Sequence, residues 1–241
     1  IKKYDGIYSI ITTFFLVYYS QFLRLFPVKY RKKLYRLIGI HARTVKDNFV
    51  FYPEIFRPES ENELFKGTWQ SELFFINVHE RVREVFVFRE SLLSFETKNM
   101  AQKMQQETSV SIHIRRGDYL SAQYFNGFSG ICTLEYYKNA AQKIIGKYKN
   151  ASFYIFSDDP EWVKENFTLE NAFYVQHNSG SDSWQDMYLM SCCKHNIIAN
   201  SSFSWWGAWL NSNPNKIVIA PKKWWNGFEH DDVVPESWIR L

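Results

Sequence analysis

SVSIHIRRGDYL, Ser109 to Leu120, runs two adjacent arginines and a histidine directly out of a stretch that reads as a buried strand. Val110, Ile112 and Ile114 alternate with Ser111, His113 and Arg115, the period-2 pattern of a half-buried strand whose faces differ in role. His113 and Arg115 therefore share a face. Arg116, Gly117 and Asp118 follow at the carboxyl end of the strand, where open α/β sheets place their ligands.

Outward from this stretch, strands alternate with helices. SVSIHIRR is followed by a loop with Gly127, Ser129 and Gly130, helix TLEYYKNAAQKIIGKY and strand SFYIFS. SDDPEWVKENF then opens a helix with Asp159 at the cap and Pro160 in the first turn. Strand AFYVQ leads to SDSWQDMYLMSCCK, where Ser183 and Asp186 have capping-box spacing. HNIIANSS feeds the helix FSWWGAWLN, and KIVIAPKKWW supplies a last strand. The alternation predicts a parallel-sheet, nucleotide-binding-type α/β domain over residues 106–241. Residues 1–105 form the other part, mostly helical: helices over Ile7 to Phe26, Lys29 to Leu37 and His79 to Met104, with NFVFYPEIF extended and FKGTWQSELFF an aromatic-rich turn.

The 241 residues are 46% hydrophobic and 22% charged, the composition of a folded soluble protein with a substantial core. A net charge of +4 with no basic stripe gives no argument for nucleic acid. Three cysteines, Cys132, Cys192 and Cys193, match neither a disulfide framework nor a zinc spacing and read as reduced and structural. The first residue is Ile1 rather than Met, so the numbered chain reads as a fragment with no callable signal peptide. Ile7 to Phe26 approaches membrane-spanning length and is followed by a basic run. Its Ser, Thr, Gln and Arg content favours a buried or groove-lining helix over a span or a peripheral membrane contact.

Arg115 and Arg116 each offer a guanidinium fork suited to phosphate oxygens. Arg115 shares the ligand face with His113; Arg116 points the other way, so pairing with a carboxylate is its alternative. His113 is either a satisfied core histidine or a donor to a base or sugar. Asp118 is either the partner of an arginine or a general base. Asp158 and Asp159 raise the possibility of Mg²⁺, but the capping role of Asp159 leaves a single free carboxylate, too few for a metal site. Asn200, Ser201, Ser202 and Ser204 precede or open a helix whose first-turn N–H groups suit an anion. Trp205, Trp206 and Trp209 sit at core spacing rather than as a sugar platform. Asp186 is either part of a capping box or an acceptor for the adjacent N–H donors of guanine.

HIRRGDY, then FSDDPEW, then SSFSWWGAWL resembles the bacterial-type α-1,2-fucosyltransferases of glycosyltransferase family 11, in that order and at the expected intervals, with GTWQSELFF and APKKWW as further segments. The resemblance covers about Phe51 to Trp225. It implies a GT-B-like architecture, two Rossmann-like halves with the donor half complete; nothing like the family's glycine-rich opening segment precedes Ile7, so the N-terminal acceptor half is expected to be truncated, the alternative being a diverged start. By this resemblance Arg115 binds the donor β-phosphate and His113 and Asp186 contact guanosine. Arg116, Asp158, Ser201, Ser202, Phe203 and Ser204 also belong to the donor site, and Trp69 and Gln70 to the acceptor side.

The resemblance further implies inverting transfer of L-fucose from GDP-fucose to the 2-hydroxyl of a galactose-terminated oligosaccharide or glycolipid, with no cofactor or metal. Arg115 stabilises the departing diphosphate and Asp118 is the candidate base. The alternatives are another fucosyl linkage (α-1,3 or α-1,6) and a non-catalytic nucleotide-sugar-binding module. A glycan on the sequon Asn200 would block the donor loop, which favours a cytoplasmic enzyme over a Golgi-lumenal one, with peripheral contact to the inner membrane left open as the alternative to a buried Ile7 to Phe26 helix. Nothing in the residues sets the oligomeric state.

Overall fold

The computed structural model describes residues 30, 33, 41–44, 49–57, 63–66, 69–227 and 231–241, with 41–44 and 63–66 described in backbone only. The expected helix over Ile7 to Phe26 lies outside these residues, as does all of the one over Lys29 to Leu37 except Tyr30 and Lys33. The chain forms two compact units, residues 1–47 with 52–69 and residues 48–51 with 70–241. The expected division between 105 and 106 falls inside the second unit. In the first unit β1 (His41–Thr44) and β2 (Glu63–Lys66) pair in parallel. PEIF, expected to be extended, is instead a 3-10 turn over Pro53–Phe56, where the fixed φ of proline suits the first helical position.

The second unit is built on a six-stranded sheet in which every pairing is parallel. Its strands are β3 (Ser109–Ile114), β4 (Ser152–Ser157), β5 (Ala172–Tyr174), β6 (His195–Ile197), β7 (Val218–Ala220) and β8 (Ile239–Arg240). The spatial order is β5-β4-β3-β6-β7-β8. With β3 counted first this is the doubly wound order of dinucleotide-binding sheets, and the chain changes direction between β3 and β6. The last strand, only two residues long, carried no sequence signal.

The helices of the second unit, among the described residues, are α1 (His79–Val85), α2 (Phe95–Gln106), α3 (Phe125–Phe128), α4 (Leu134–Ile145), α5 (Pro160–Asn166), α6 (Trp184–Cys192) and α7 (Ser202–Leu210). The single helix expected over His79 to Met104 is two. Ser94 caps a new helix by accepting the Thr97 N–H at 3.1 Å, a typical N-cap bond. α2 then packs on α6, and the Ser94 N–H donates to Gln185 Oε1 at 2.8 Å.

β3 is buried at all six positions rather than at alternate ones. Parallel sheets carry helices on both faces, so the polar face of the strand is covered as well. Val110, Ile112 and Ile114 pack with Tyr137, Ala140 and Ile144 of α4 on one side. Tyr154 and Phe156, on the opposite face of β4, pack with Met104 of α2 and Leu189 and Met190 of α6. The buried polar positions of β3 need partners: Ser109 Oγ donates to the Met104 carbonyl at 2.6 Å, and Ser111 Oγ accepts from Asn196 Nδ2 at 2.7 Å. His113 Nδ1 has none within the protein.

Trp205 and Trp209 of α7 are buried with Trp224 and Trp238. Trp206 stacks on Phe75 and Phe86, with ring centroids 5.8 and 4.8 Å away. The tryptophans are core, as their helical spacing predicts. Cys132, Cys192 and Cys193 are all free thiols.

Candidate functional site

A cavity of about 610 Å³ opens at the carboxyl ends of β3, β4, β5 and β6, the switch-point position where open α/β sheets bind ligands. His113, Arg115, Asp118, Asp158, Asp186, Ser201, Ser202 and Phe203 all line it. Residues more than 80 positions apart in sequence are thus brought together by strand ends and not by chain proximity.

Arg115 lies just beyond β3. Its Nε donates to Asp118 Oδ1 at 3.0 Å, its Nη2 lies 2.9 Å from the same oxygen, and its Nη1 lies 3.2 Å from Asp158 Oδ2. Burial disfavours the charged guanidinium, but hydrogen bonding to Asp118 and the charge of Asp158 outweigh it and hold the group above its ordinary value. The two carboxylates hold the guanidinium in place on the cavity wall. Asp158 is held from both sides, because its Oδ1 accepts the Arg116 N–H at 2.9 Å. This approach requires Gly117: a Cβ there would lie 2.6 Å from Asp158 Oδ2.

His113 is 4% exposed. Burial, with Arg115 adding to it, lowers its pKa to about 3. The ring is neutral at physiological pH, and it sits tilted against Phe203 with centroids 5.7 Å apart. Asp186 makes no capping box: Ser183 caps no N–H with its side chain, and Asp186 Oδ1 accepts from Asn178 Nδ2 at 2.8 Å. Burial raises the Asp186 carboxyl to about 6, against the opposing effect of that hydrogen bond. Ser201 is the N-cap of the nine-residue α7 and makes no side-chain cap. The amino end of α7 therefore faces the cavity without a side-chain acceptor over it, a ready anion site.

Other expected residues lie elsewhere. Arg116 Nε donates to Asp159 Oδ2 at 3.1 Å, and its guanidinium stands 3.3 Å from the Trp162 ring centroid. That is the carboxylate pairing its opposite orientation suggested, and it removes Asp159 from the cavity and from a side-chain cap on α5. Ser204 is buried and donates to the Ser201 carbonyl at 3.3 Å. Gln70 Oε1 accepts from Trp224 Nε1 at 3.0 Å. Trp69 belongs to the first compact unit, at a positive φ of 50°.

Residues not anticipated also line the cavity, among them Tyr119, Ser157, Asn178 and Gly180. Asn178 and Gly180 come from the loop HNSGS after β5, and Gly180 has a φ of +56°. A glycine-bearing loop at the carboxyl end of a predicted strand was the available signal. Asn178 is tied to α2 through Thr97, whose hydroxyl donates to Asn178 Oδ1 at 3.3 Å. Asn200 is structural: its Nδ2 donates to the Phe128 and Trp224 carbonyls, each at 3.2 Å.

A doubly wound sheet with a polar, arginine-bearing cavity at its switch point defines a protein of the nucleotide-binding α/β class. The family profile described as Glycosyl transferase family 11 matches residues 42–241, and the chain belongs to that family. It is similar to an α-1,2-colitosyltransferase of Escherichia coli, 39% identical over 181 residues, covering 73% of this chain and 62% of that protein. It is also similar to galactoside α-(1,2)-fucosyltransferase 1 of Lagothrix lagotricha, 26% identical over 148 residues, covering 57% of this chain and 40% of that one. The chain thus spans less than two thirds of the length of either relative. Among solved structures, NodZ α-1,6-fucosyltransferase co-crystallized with GDP superposes with a TM-score of 0.30 at 14% identity, covering 56% of this chain and 58% of that one.

Proposed function

We propose that the protein is an inverting α-1,2-glycosyltransferase that moves a 6-deoxy-L-sugar, L-fucose in the first instance, from its GDP conjugate to the 2-hydroxyl of a galactoside. The observation that carries this reading is the convergence of His113, Arg115, Asp158, Asp186 and the amino end of α7 on a single cavity of about 610 Å³. The volume lies within the range of small-molecule sites. An acidic side chain, an unpartnered imidazole nitrogen, an arginine fork and a helix amino terminus are the groups that a guanine, a ribose and a diphosphate require.

In the reaction the bond between C1 and the β-phosphate oxygen breaks, and GDP departs with the electron pair. The acceptor oxygen attacks C1 from the opposite face and gives up its proton. Charge develops on the diphosphate as the sugar becomes oxocarbenium-like. In this reading Arg115 and the first-turn N–H groups of α7, which line the cavity, stabilise that charge, and preorganised donors of this kind are commonly the largest catalytic contribution.

Asp118 is proposed primarily as the residue that orients Arg115, since its Oδ1 accepts the Nε hydrogen bond and lies 2.9 Å from Nη2. A role as base would need its second oxygen. Metal-independent turnover is proposed on the same grounds: Asp158 is held by Arg115 and the Arg116 N–H, and Asp159 by Arg116.

The colitosyltransferase relative supplies a second donor to test, because colitose is fucose without its 3-hydroxyl. The decisive experiment is product analysis with the intact protein, both GDP-sugars and a panel of β-galactosides, with and without EDTA. We expect an α-1,2-linked product that survives EDTA, and a fall in kcat/KM of at least about tenfold for Arg115→Lys, which keeps the charge but loses the fork. An α-1,3 or α-1,6 linkage changes the regiochemistry. GDP binding by calorimetry with no turnover leaves a nucleotide-sugar-binding module. Unimpaired Arg115→Lys removes the arginine from the site.

A further inference from the structure

A second, smaller recess of about 90 Å³ adjoins the cavity, and Arg115 and Tyr119 line both. Leu120, Phe128 and Gly130 give the recess its apolar wall. Leu120 is 50% exposed, and Phe128 stacks on Tyr119 with ring centroids 5.0 Å apart.

The uncharged polar side chains on the wall direct their hydrogen-bond donors into the protein. The Tyr119 hydroxyl donates to the Asn200 carbonyl at 2.7 Å, and Ser129 Oγ donates to the Phe125 carbonyl. Cys132 Sγ donates to Asn200 Oδ1 at 3.4 Å. Both Asn200 amide hydrogens go to main-chain carbonyls. The guanidinium groups of Arg115 and Arg116 turn to Asp118, Asp158 and Asp159. A hydroxyl entering beside Leu120 and Phe128 would lose water and find the uncharged donors of the wall already committed, whereas a methyl group would lose nothing.

We infer that this recess receives the C6 methyl corner of the transferred sugar and selects 6-deoxy donors over their 6-hydroxy counterparts, with Leu120 as the specificity-determining side chain. The inference rests on the GDP-sugar reading above. If Arg115 holds the β-phosphate, the sugar attached to that phosphate is placed beside the arginine, at the mouth of the recess. The size agrees: at about 90 Å³ the recess is far smaller than the adjoining cavity of about 610 Å³, a place for a corner of the sugar rather than for the nucleotide. Fucose and colitose both carry that methyl, so the recess serves either donor.

The test is donor competition in the intact protein between GDP-L-fucose and GDP-L-galactose, which differ only in the 6-hydroxyl. A hydrophobic pocket rejects an added hydroxyl by on the order of 10²-fold in kcat/KM, and the wild type is expected to do so. Leu120→Ser is expected to cut that ratio at least about tenfold, mainly by raising use of the galactosyl donor, with GDP affinity unchanged. Leu120→Phe, which fills the recess, should lower transfer from both donors, again at unchanged GDP affinity.

Equal use of both donors by the wild type overturns the assignment, as does a ratio that Leu120→Ser leaves unmoved. A variant that shifts only the acceptor KM makes the recess an acceptor contact and overturns it too. Wild-type protein that binds GDP and transfers neither sugar is a different result: it overturns the glycosyl-transfer reading itself, and the recess with it.

Discussion

Asp186 shows how burial and a single neighbour set the chemistry of a side chain. Its carboxyl is raised to about 6 by burial while Asn178 holds one oxygen. Only the ionised form accepts the N–H donors of guanine at both oxygens, so protonation opposes binding. GDP affinity is expected to rise by up to about tenfold per pH unit below about pH 6 and to level off above it. Calorimetry from pH 5 to 8 on wild type and Asp186→Asn checks this, because the difference between the two proteins cancels the titration of the nucleotide's own phosphate. Parallel profiles would take Asp186 out of the base contact. Arg115 carries a related lesson: two carboxylates at 2.9 and 3.2 Å fix the direction of a fork that would otherwise sweep the cavity mouth.

At the level of elements, the site depends on where α7 is set down. Its carboxyl end is held by Lys216, whose Nζ donates to the Ala208 and Asn211 carbonyls at 2.8 and 2.7 Å, and by Arg83, which donates to the Trp209 carbonyl at 2.7 Å. Cations there complement the helix dipole whose positive end faces the cavity. Burial, aided by Arg83, brings the Lys216 ammonium down to about 8. The flank of α7 meets α6 at Gly207, where a Cβ would stand 2.9 Å from the Met190 Cβ and 3.5 Å from the Met187 carbonyl. Gly207→Ala is therefore expected to destabilise the fold by about 1–3 kcal/mol, as overpacking does, outweighing the better helix propensity of alanine. The measurement is a fall in denaturant midpoint at unchanged m-value; a midpoint equal to wild type would mean the helices part without cost.

At the scale of the molecule, burying His113 inside a sheet covered on both faces couples global stability to pH. The folded ring holds its pKa near about 3 because of burial and then Arg115, while the unfolded chain takes up a proton near about 6.5. The unfolded state thus binds more protons between these values. The contribution of His113 to stability is present above about pH 6.5 and is lost as the pH falls toward about 3, by up to about 1.4 kcal/mol per pH unit. Urea unfolding at pH 7 and pH 5 should show that slope in the wild type and a slope smaller by about one proton in His113→Asn; identical slopes would place the ring in a more hydrated site than its 4% exposure implies.

The parallel alternation, the strand carrying His113, the place of Arg115 at the ligand end of that strand and the core role of the tryptophans were all legible in the chain, because each is set by local periodicity or by residue chemistry at a strand end. The two-residue β8, the break before Ser94, the full burial of β3, the particular carboxylate that Arg116 takes and the commitments of Ser204 and Gln70 were not. Those depend on which surface covers which, and no local pattern encodes a partner 43 or 154 residues away. Asn178 joined the cavity, and Asp186 left its capping geometry, for the same reason. The sequence by itself determined five of the strands, their alternation with helices and the chemical types at their ends; the tertiary structure decided which of those ends share one cavity, because proximity across a sheet comes from strand pairing and helix packing rather than from spacing along the chain.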